Sequence, residues 1–354
     1  MEKIDKILII NLGGIGDLLL SKPALKALRK KYPQAEIDML TAHKVYEIAC
    51  DFDFINRVFV FELEYGRKVS VFKMFGNFRV LTSLRSRKYD VAVNMRTLMS
   101  NKSAAKMKLM LSFIKPARSV GRDTEGRGNF FDMRVPESQQ GRKCEMEYDI
   151  DTVKKLDVEV PTRGVYLEIP PEVEERVEIF FRKLNIKKED IIVGIHPGGM
   201  PSRRWPIENF AEVIKKINIS HRVKFIVTGS AEEKELAQRL VNLCGVKLIN
   251  LAGKLTLKEL AATIKKCAVF ISNDTGPMHI AAVLEVPLVA IFGPGDIVRF
   301  DPRNIFKEAV VLYKKTDCAP CEKRGCEDLR CLKAITPLEV SNAVVRFLGS
   351  GAVK

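Results

Sequence analysis

Three polar segments of the sequence combine residue types that could bind an anionic ligand and move a proton. The first is the turn NLGGIGD, in which Gly13, Gly14 and Gly16 precede Asp17. Glycines let the backbone approach a ligand closely, and the N–H groups of the helix that follows attract anions. Asp17 is a candidate general base, which would need a partly dry site that raises its pKa. The alternative is a structural role, since a carboxylate caps a helix N-terminus and is stabilised there.

The second segment, HPGGMPSRRWP, follows a predicted strand and contains a pair of arginines. Arg203 and Arg204 stand directly before Trp205. Guanidinium groups match phosphate oxygens in bidentate geometry, and ligands of open α/β sheets bind at the carboxyl ends of the strands. The pair therefore predicts a phosphate site. The alternative is a pair of surface arginines beside a tryptophan that only fills space in the core. His196, at the strand end, is more typical of a buried core residue.

The third segment, SNDTGPMH, joins a strand to a helix that begins near Met278. It places Asp274, Thr275 and Gly276 at the helix N-terminus, where backbone N–H groups form an anion site. His279 falls in the first helical turn and faces either the cleft or the core. A plain strand–turn–helix with an N-cap residue would also explain Asp274 and Thr275, but it does not need the Gly-Pro that follows.

A fourth segment contains four cysteines in the spacing C-x2-C-x4-C-x4-C. Thiols at this density could hold zinc or an iron–sulfur cluster, but structural zinc sites usually separate their two ligand pairs by a longer loop. We therefore expect no metal, with structural or disulfide-forming thiols as the favoured interpretation and a metal site as the open alternative. The residues are Cys318, Cys321, Cys326 and Cys331.

Alternating strand and helix patterns must position these segments. In the first half, the strand KILIIN, the glycine turn, a helix from Asp17 to Lys31 and the strand EIDMLTA form a β-α-β unit. In the second half, five apolar strands alternate strictly with four helices between IIVGIHPG and PLVAIFG. This alternation predicts an α/β fold with two Rossmann-like, doubly wound parallel sheets.

The length of the chain bears on its division into domains. At 354 residues the chain exceeds the roughly 250 to 300 residues at which a single core stops growing, so two domains are expected. Prolines in the stretch PTRGVYLEIPP place the linker between Pro161 and Pro171. A last helix, starting at Pro337, follows the cysteines.

Composition limits the partners and the location of the protein. Lys plus Arg number 59 and Asp plus Glu number 44, a formal charge of +15, which predicts an anionic partner. Basic residues are not interleaved with aromatic ones, so we expect no nucleic acid. Without a signal peptide or a stretch of about 20 apolar residues, the protein is expected to be soluble and cytoplasmic. The basic amphipathic segment 101–115 has two open interpretations, a solvated lysine face over a core stripe or a membrane or acceptor contact.

A nicotinamide-dependent oxidoreductase is a competing class for such a fold. Its fingerprint G-x-G-x-x-G needs a third glycine where this chain has Leu19. The acidic residue expected about 20 positions further on, Asp38, lies inside a strand pattern. The sequence therefore disfavours this class.

Four motifs in a fixed order resemble glycosyltransferase family 9, the ADP-heptose:lipopolysaccharide heptosyltransferases. They are GGIGDLLLSKPALKALRKKYP, the HPGG and RRWP stretch, SNDTGPMHIAAVLEVPLVAIFGP, and the C-x-P-C cluster followed by a helix. The resemblance implies a GT-B architecture, in which two Rossmann-like domains face each other across a cleft. It assigns residues 1–165 to an acceptor-binding domain, residues 172–335 to a nucleotide-sugar-binding domain, and residues 336–354 to a helix that crosses back to the first domain.

The resemblance also implies roles for individual residues. Asp17 takes the place of the family's general base, and Arg203 stands where many members have a lysine that contacts the donor phosphates. An acidic residue near the nucleoside corresponds to Glu232 or Glu233, the second of which also caps a predicted helix. Leu255 corresponds to a residue beside the adenine. The other residues assigned to donor binding are Arg204, Asp274, Thr275, Gly276 and His279.

The activity implied by the resemblance is an inverting transfer of heptose from ADP-heptose to the inner core of lipopolysaccharide, without a metal or other cofactor. Alternatives are another nucleotide sugar or acceptor, or, less favoured, the oxidoreductase. The positive charge would serve an anionic, lipid-linked acceptor of the Kdo-lipid A type, which places the protein on the inner face of the inner membrane. Candidate acceptor contacts are Arg96, Lys102 and Arg122, with Arg118 and Arg127 on the same surface.

Overall fold

The computed structural model describes residues 3–63, 71–321 and 325–349. Contacts divide the chain into two compact units, Met1–Val165 and Tyr166–Lys354. Each unit contains a sheet of six parallel strands with helices between them, so the predicted α/β class with two Rossmann-like sheets is confirmed. No helix among the described residues is long and apolar enough to cross a lipid bilayer.

The sheet of the first unit has the strand order β3-β2-β1-β4-β5-β6. Because β1 pairs with β2 on one side and with β4 on the other, the strand order reverses beside it, and the carboxyl ends of β1 and β4 meet at a topological switch point. Its elements are β1 Lys6–Asn11, α1 Ile15–Lys31, β2 Glu36–Ala42, α2 Tyr46–Ala49, β3 Arg57–Phe61, α3 Val71–Ser86, β4 Val91–Asn94, α4 Asn101–Ile114, β5 Arg118–Thr124, β6 Met133–Glu137 and α5 Glu145–Lys154.

The sheet of the second unit repeats this plan with the order β12-β11-β10-β7-β8-β9. Here β7 lies between β8 and β10, which places a second switch point at the carboxyl ends of β7 and β10. Its elements are α6 Pro171–Lys183, β7 Ile192–His196, α7 Ile207–Ser220, β8 Lys224–Val227, α8 Lys234–Cys244, β9 Leu248–Asn250, α9 Leu257–Lys265, β10 Val269–Asn273, α10 Gly276–Val283, β11 Leu288–Phe292, α11 Ile297–Phe300, β12 Val310–Tyr313, α12 Arg330–Lys333 and α13 Pro337–Gly349.

The central strands are apolar on both faces, as expected for parallel sheets covered by helices. Ile7, Leu8, Ile9 and Ile10 of β1 are completely buried. In the central strands β1, β4, β7 and β10, the polar side chains lie at or next to the strand ends. The polar groups that could do chemistry therefore lie in the loops after β1, β4, β7 and β10, and the strands fix the positions of these loops.

The last helix, α13, packs against α7 and the strands of the second unit. Val340 and Val344 are completely buried there, and the indole Nε1 of Trp205 donates a hydrogen bond to the carbonyl of Ile335 at 3.1 Å. The structure describes this helix as far as Gly349, so residues 350–354 of the assigned segment lie outside the described residues. The crossing of the segment to the first domain stays a prediction.

Candidate active site

The turn after β1 holds Asp17 in a defined position. Its Oδ2 accepts a hydrogen bond from the backbone N–H of Gly14 at 2.6 Å, and its Oδ1 pairs with Arg96, which follows β4. A side chain at position 13 would overlap the Asp17 carboxylate, so only glycine fits there. The switch point between β1 and β4 thus brings the predicted base and one predicted acceptor contact together.

The pKa of Asp17 departs from the sequence-based expectation. Burial alone raises the pKa of Asp17, but the charge of Arg96, the Gly14 N–H and the charge of Lys44 together lower it below its ordinary value. The raised pKa that the sequence analysis set as a condition for a base at this position is therefore not found. Asp17 is ionised at neutral pH, which leaves it able to accept a proton, and it also caps the first turn of α1.

The assignment of Arg122 as an acceptor contact is corrected by the structure. Its side chain is completely buried, and its Nη1 donates to Glu145 at 2.6 Å and to Glu137 at 3.2 Å, while its Nη2 pairs with Asp149. Burial, together with the neighbouring Glu145, raises the pKa of Asp149 despite this pair, which eases the repulsion between the carboxyl groups. Because a bound molecule at the surface cannot reach this guanidinium, we assign Arg122 a structural role.

The other basic candidates of the first unit differ in exposure. Lys102 is exposed in the first turn of α4, and the side chain of Arg96 is 24% exposed. Arg127 donates a hydrogen bond to the carbonyl of Leu98 at 2.6 Å, so it stabilises the loop between β4 and α4. Arg118 is half-buried at the start of β5.

Glu145 is the residue of this site that sequence reasoning missed. It lies 3.8 Å from Arg96 and 2.6 Å from Arg122, and so joins the pair that holds Asp17 to the buried cluster behind it. The sequence does contain a sign of this cluster, because Glu145 and Asp149 are four residues apart and share one face of α5. Nothing in the sequence, however, distinguishes that face from a solvated one.

In the second unit, the two predicted phosphate segments meet. Arg203 Nη1 donates to Asp274 Oδ2 at 2.7 Å, and Asp274 is only 3% exposed. The amide Nδ2 of Asn273 donates to the carbonyls of Pro197 and Gly198 at 2.9 and 3.0 Å. Its Oδ1 accepts the backbone N–H of Trp205 at 3.1 Å. The loops after β7 and β10 are therefore tied into one surface.

Glu233 holds the glycine loop after β7. Its carboxylate accepts hydrogen bonds from the N–H of Gly199 at 2.6 Å and of Ser230 at 2.8 Å, and Arg204 lies 3.8 Å away. Gly199 has a φ of +114°, which favours glycine, and a side chain at position 198 would overlap the Glu233 carboxylate. Burial raises the pKa of Glu233, but His196, the two N–H donors and Arg204 lower it below its ordinary value.

The neighbouring Glu232 is exposed, and its own backbone N–H and Ser230 lower its pKa. Of the two acidic candidates, Glu233 is the one bound to the loop, while Glu232 keeps its carboxylate at the surface. Leu255 is half-buried immediately before Thr256, the N-cap of α9.

The two histidines of this unit differ in their surroundings. His196 Nδ1 lies 3.1 Å from Thr228 Oγ1, and burial lowers its pKa, so the ring is neutral at neutral pH. His279 is 5% exposed and packs edge-on against Phe300 at 5.9 Å. Thr275 and Gly276 are half-buried at the N-terminus of α10.

The four clustered cysteines are free thiols. Cys318 is exposed and Cys331 is buried, and burial raises the pKa of Cys331. Cys321 and Cys326 are half-buried on either side of residues 322–324, which are outside the described part of the chain. Within the described part, no three His, Cys, Asp or Glu residues are grouped so that they could hold a metal ion.

Comparison with known proteins gives a consistent family. The model of glycosyltransferase family 9 (heptosyltransferase) matches residues 77–331. Lipooligosaccharide heptosyltransferase 2 of Campylobacter jejuni is 25% identical over 349 residues, covering 94% of this chain and 96% of that protein.

Two solved structures have the same fold. A glycosyltransferase family 9 protein from Veillonella parvula superposes with a TM-score of 0.77 at 23% identity, covering 99% of both chains. The ADP-heptose lipopolysaccharide heptosyltransferase II of Escherichia coli gives a TM-score of 0.74 at 23% identity, covering 98% of this chain and 99% of that one. The predicted GT-B fold is confirmed.

Proposed function

Because the chain belongs to glycosyltransferase family 9, we propose that this glycosyltransferase moves a heptose from ADP-heptose to the inner core of lipopolysaccharide, with inversion and without a metal. The observation that carries the proposal is the Arg203–Asp274 pair, 2.7 Å apart at the switch point of the second sheet. It puts a cation beside the N-terminus of α10, which is an arrangement suited to a diphosphate.

The relatives support the choice of substrates. The protein from Campylobacter jejuni is named for heptosyl transfer to lipooligosaccharide, and the solved Escherichia coli neighbour is named for ADP-heptose. A donor with another nucleotide or sugar would use the same fold and the same cationic groups, so it is the alternative that an experiment must separate.

The proposed reaction is a direct displacement. Asp17 accepts the proton of an acceptor hydroxyl, whose oxygen forms a bond to the anomeric carbon while the bond from that carbon to the diphosphate oxygen breaks on the opposite face. The low pKa of Asp17 makes it a weak base, so the proton moves once the hydroxyl has become acidic in the transition state. Attack opposite the leaving group inverts the anomeric centre.

Charge on the departing ADP is stabilised by fixed groups of the second unit. Arg203, Arg204 and the backbone N–H groups at the start of α10 supply positive charge where it develops, which is the role a metal would otherwise have. Asp274 is a carboxylate, so it suits the hydroxyls of the donor sugar rather than the diphosphate, and it orients Arg203.

The acceptor is proposed to be an anionic lipid-linked saccharide of the Kdo-lipid A type. Lys102 is exposed and Arg96 is partly exposed, and both follow the carboxyl end of β4, next to the strand that precedes Asp17. The formal charge of +15 favours such a partner at the anionic inner face of the inner membrane.

The first test is calorimetric titration of EDTA-treated protein with ADP, UDP, GDP and NAD. Selective binding of ADP, weakened at least about tenfold in Arg203→Ala, would support the donor assignment. Arg303→Ala is the matched control, because Arg303 also pairs with an aspartate, Asp301, but is 51% exposed. A preference for UDP or GDP would discard the heptose donor, and binding of NAD alone would overturn the proposal.

The second test is mass spectrometry of Kdo-lipid A incubated with ADP-heptose and the EDTA-treated protein. A product heavier by one heptose is the expected result, and NMR of that product should show an inverted anomeric configuration. Transfer that returns only when a divalent cation is added would contradict the metal-independent mechanism.

A further inference from the structure

The outer faces of α3 and α4 expose a continuous apolar stripe. Met74, Phe75 and Phe78 of α3 are 59%, 63% and 54% exposed, and Leu109 of α4 is 72% exposed. The rings of Phe78 and Phe113 lie 5.8 Å apart and connect the two helices. We call these five side chains the α3–α4 face.

The spacing along each helix makes the stripe continuous. Leu109 and Phe113 are four residues apart on α4, and Met74 and Phe78 are four residues apart on α3, so each pair shares a side of its helix. Exposed aromatic and aliphatic side chains grouped in this way are uncommon on a surface that meets only water.

The charged residues of the two helices that form the stripe have one sign. Residues 71–86 and 101–114 contain no Asp or Glu. The exposed basic residues beside the stripe are Arg79, Arg85, Lys102, Lys106, Lys108 and Lys115. An apolar stripe on two helices whose charged residues are all cations matches a surface that offers hydrocarbon and phosphate together.

A second copy of this chain would fit the face poorly. In a symmetric dimer the same patch would contact itself, which would bring the two sets of lysines and arginines together and repel them. A phospholipid bilayer avoids this conflict, because it takes up apolar side chains at the acyl boundary and attracts cations to its headgroups.

The face is also well placed for the chemistry of the first unit. Lys102 and Lys106 lie four residues apart, and they extend the basic border along α4 to its first turn. That turn follows β4, whose carboxyl end carries Arg96 and thus Asp17. A helix rises about 1.5 Å per residue, so Leu109 lies roughly 10 Å from Lys102, a span that a few sugar units can bridge.

We propose that the α3–α4 face is the surface by which this protein binds an anionic phospholipid bilayer. For the identity of the acceptor that the bilayer carries, the inference rests on the proposed function. Binding of the bilayer itself does not depend on the donor, so the two proposals can fail separately.

The test is co-sedimentation of the full chain with vesicles of phosphatidylcholine alone or with about 30 mol% phosphatidylglycerol. We expect the wild type to bind the anionic vesicles at least about tenfold more tightly, and this preference to disappear in high salt. The double variants Phe75→Ser/Leu109→Gln and Lys106→Gln/Lys108→Gln should each lose at least about tenfold of that binding.

Matched controls lie on helices of the second unit. Ile219→Gln removes an apolar side chain that is 86% exposed on α7, and Lys183→Gln/Lys215→Gln removes two exposed lysines from α6 and α7. Both controls should bind vesicles within about twofold of the wild type. Thermal unfolding of every variant shows whether the fold is kept.

The outcomes separate the alternatives. Equal binding to neutral and anionic vesicles, or unchanged binding by the α3–α4 variants, would overturn the proposal. So would a wild-type dimer that the α3–α4 variants convert to monomers without change in vesicle binding. Vesicle binding as expected, together with no transfer from ADP-heptose, would leave the bilayer surface standing and remove the proposed donor. Retained activity of the variants on a lipid-free acceptor supports a role in membrane binding alone.

Discussion

Arg122 and Glu145 form an ion pair in the interior of the first unit, with 2.6 Å between Nη1 and Oε1. Glu145 is in turn 3.8 Å from Arg96, which pairs with Asp17. The position of the proposed base therefore depends on charges that no ligand touches. Removing a member of this chain of contacts should affect stability and pH dependence in different ways.

Arg122→Met should destabilise the first unit by about 3–5 kcal/mol, because Glu137 and Glu145 would lose their buried cation. Urea unfolding of the full chain measures the loss. Arg239→Met is the control, since Arg239 pairs with Glu208 at an exposed position where such pairs contribute about 0–1 kcal/mol. An equal loss of unfolding free energy in the two variants would show that the buried cluster contributes no more stability than the exposed pair.

Asp17→Asn should lower kcat by about 100- to 10,000-fold, because the amide cannot take the proton of the acceptor hydroxyl. Its side-chain oxygen can still accept the Gly14 N–H, so the turn should keep its shape. ADP affinity, measured by calorimetry, should stay unchanged, because the phosphate groups are assigned to the second unit. Wild-type turnover in a folded variant would refute the base assignment.

Arg96→Gln should move the acidic limb of the pH–rate profile to higher pH. Arg96 lowers the pKa of Asp17, so its removal raises that pKa, and the ionised base is then lost at a higher pH as the solution is acidified. The profile of kcat/KM against pH gives this shift even if KM also changes. An acidic limb at the wild-type position would mean that another group sets it.

The same pKa makes a prediction for stability. The folded-state pKa of Asp17 is lowered, so its pair with Arg96 contributes stability above the ordinary pKa of an aspartate, and this contribution is lost as the pH falls through the folded-state value. Wild type and Arg96→Gln should therefore differ most near neutral pH and converge in acid. Unfolding curves across that range provide the measurement.

Gly198→Ala should weaken ADP binding and cost about 1–3 kcal/mol of stability, because the new methyl group would overlap the Glu233 carboxylate that holds the loop. Gly164→Ala is the matched control, since nothing lies within 4 Å of its added methyl group. Calorimetry and thermal unfolding report the two effects. If Gly198→Ala bound ADP as tightly as the wild type does, the loop would not need the Glu233 carboxylate at its present position.

Local patterns in the sequence predicted most of the second unit. Strict alternation of apolar strands with amphipathic helices placed β7 and β10 correctly, and the turn chemistry after each strand placed Arg203 and Asp274 at strand carboxyl ends. The strands, helices and turns depend on residues close together in the chain, which is why periodicity and turn chemistry found them. The contact between Arg203 and Asp274 joins residues 71 positions apart, and it did not follow from these patterns.

The buried cluster of the first unit could not be predicted in this way. Arg122 lies on β5 and Glu145 on α5, and a charged residue gives no local sign that it has left the surface. The pKa of Asp17 is a sum of opposing effects, and its direction depends on where Arg96 stands. Such properties arise only when distant segments pack.

The amide of Asn273 binds two carbonyls and one N–H of the neighbouring loop, so that loop has its final shape before any nucleotide arrives. The loss of loop entropy then occurs during folding, and the encounter with a donor requires little rearrangement. A loop whose shape is fixed in this way allows donor specificity to change without a change in phosphate binding. Side chains around the loop can change to select a different sugar, while the backbone that is proposed to face the phosphates keeps its shape.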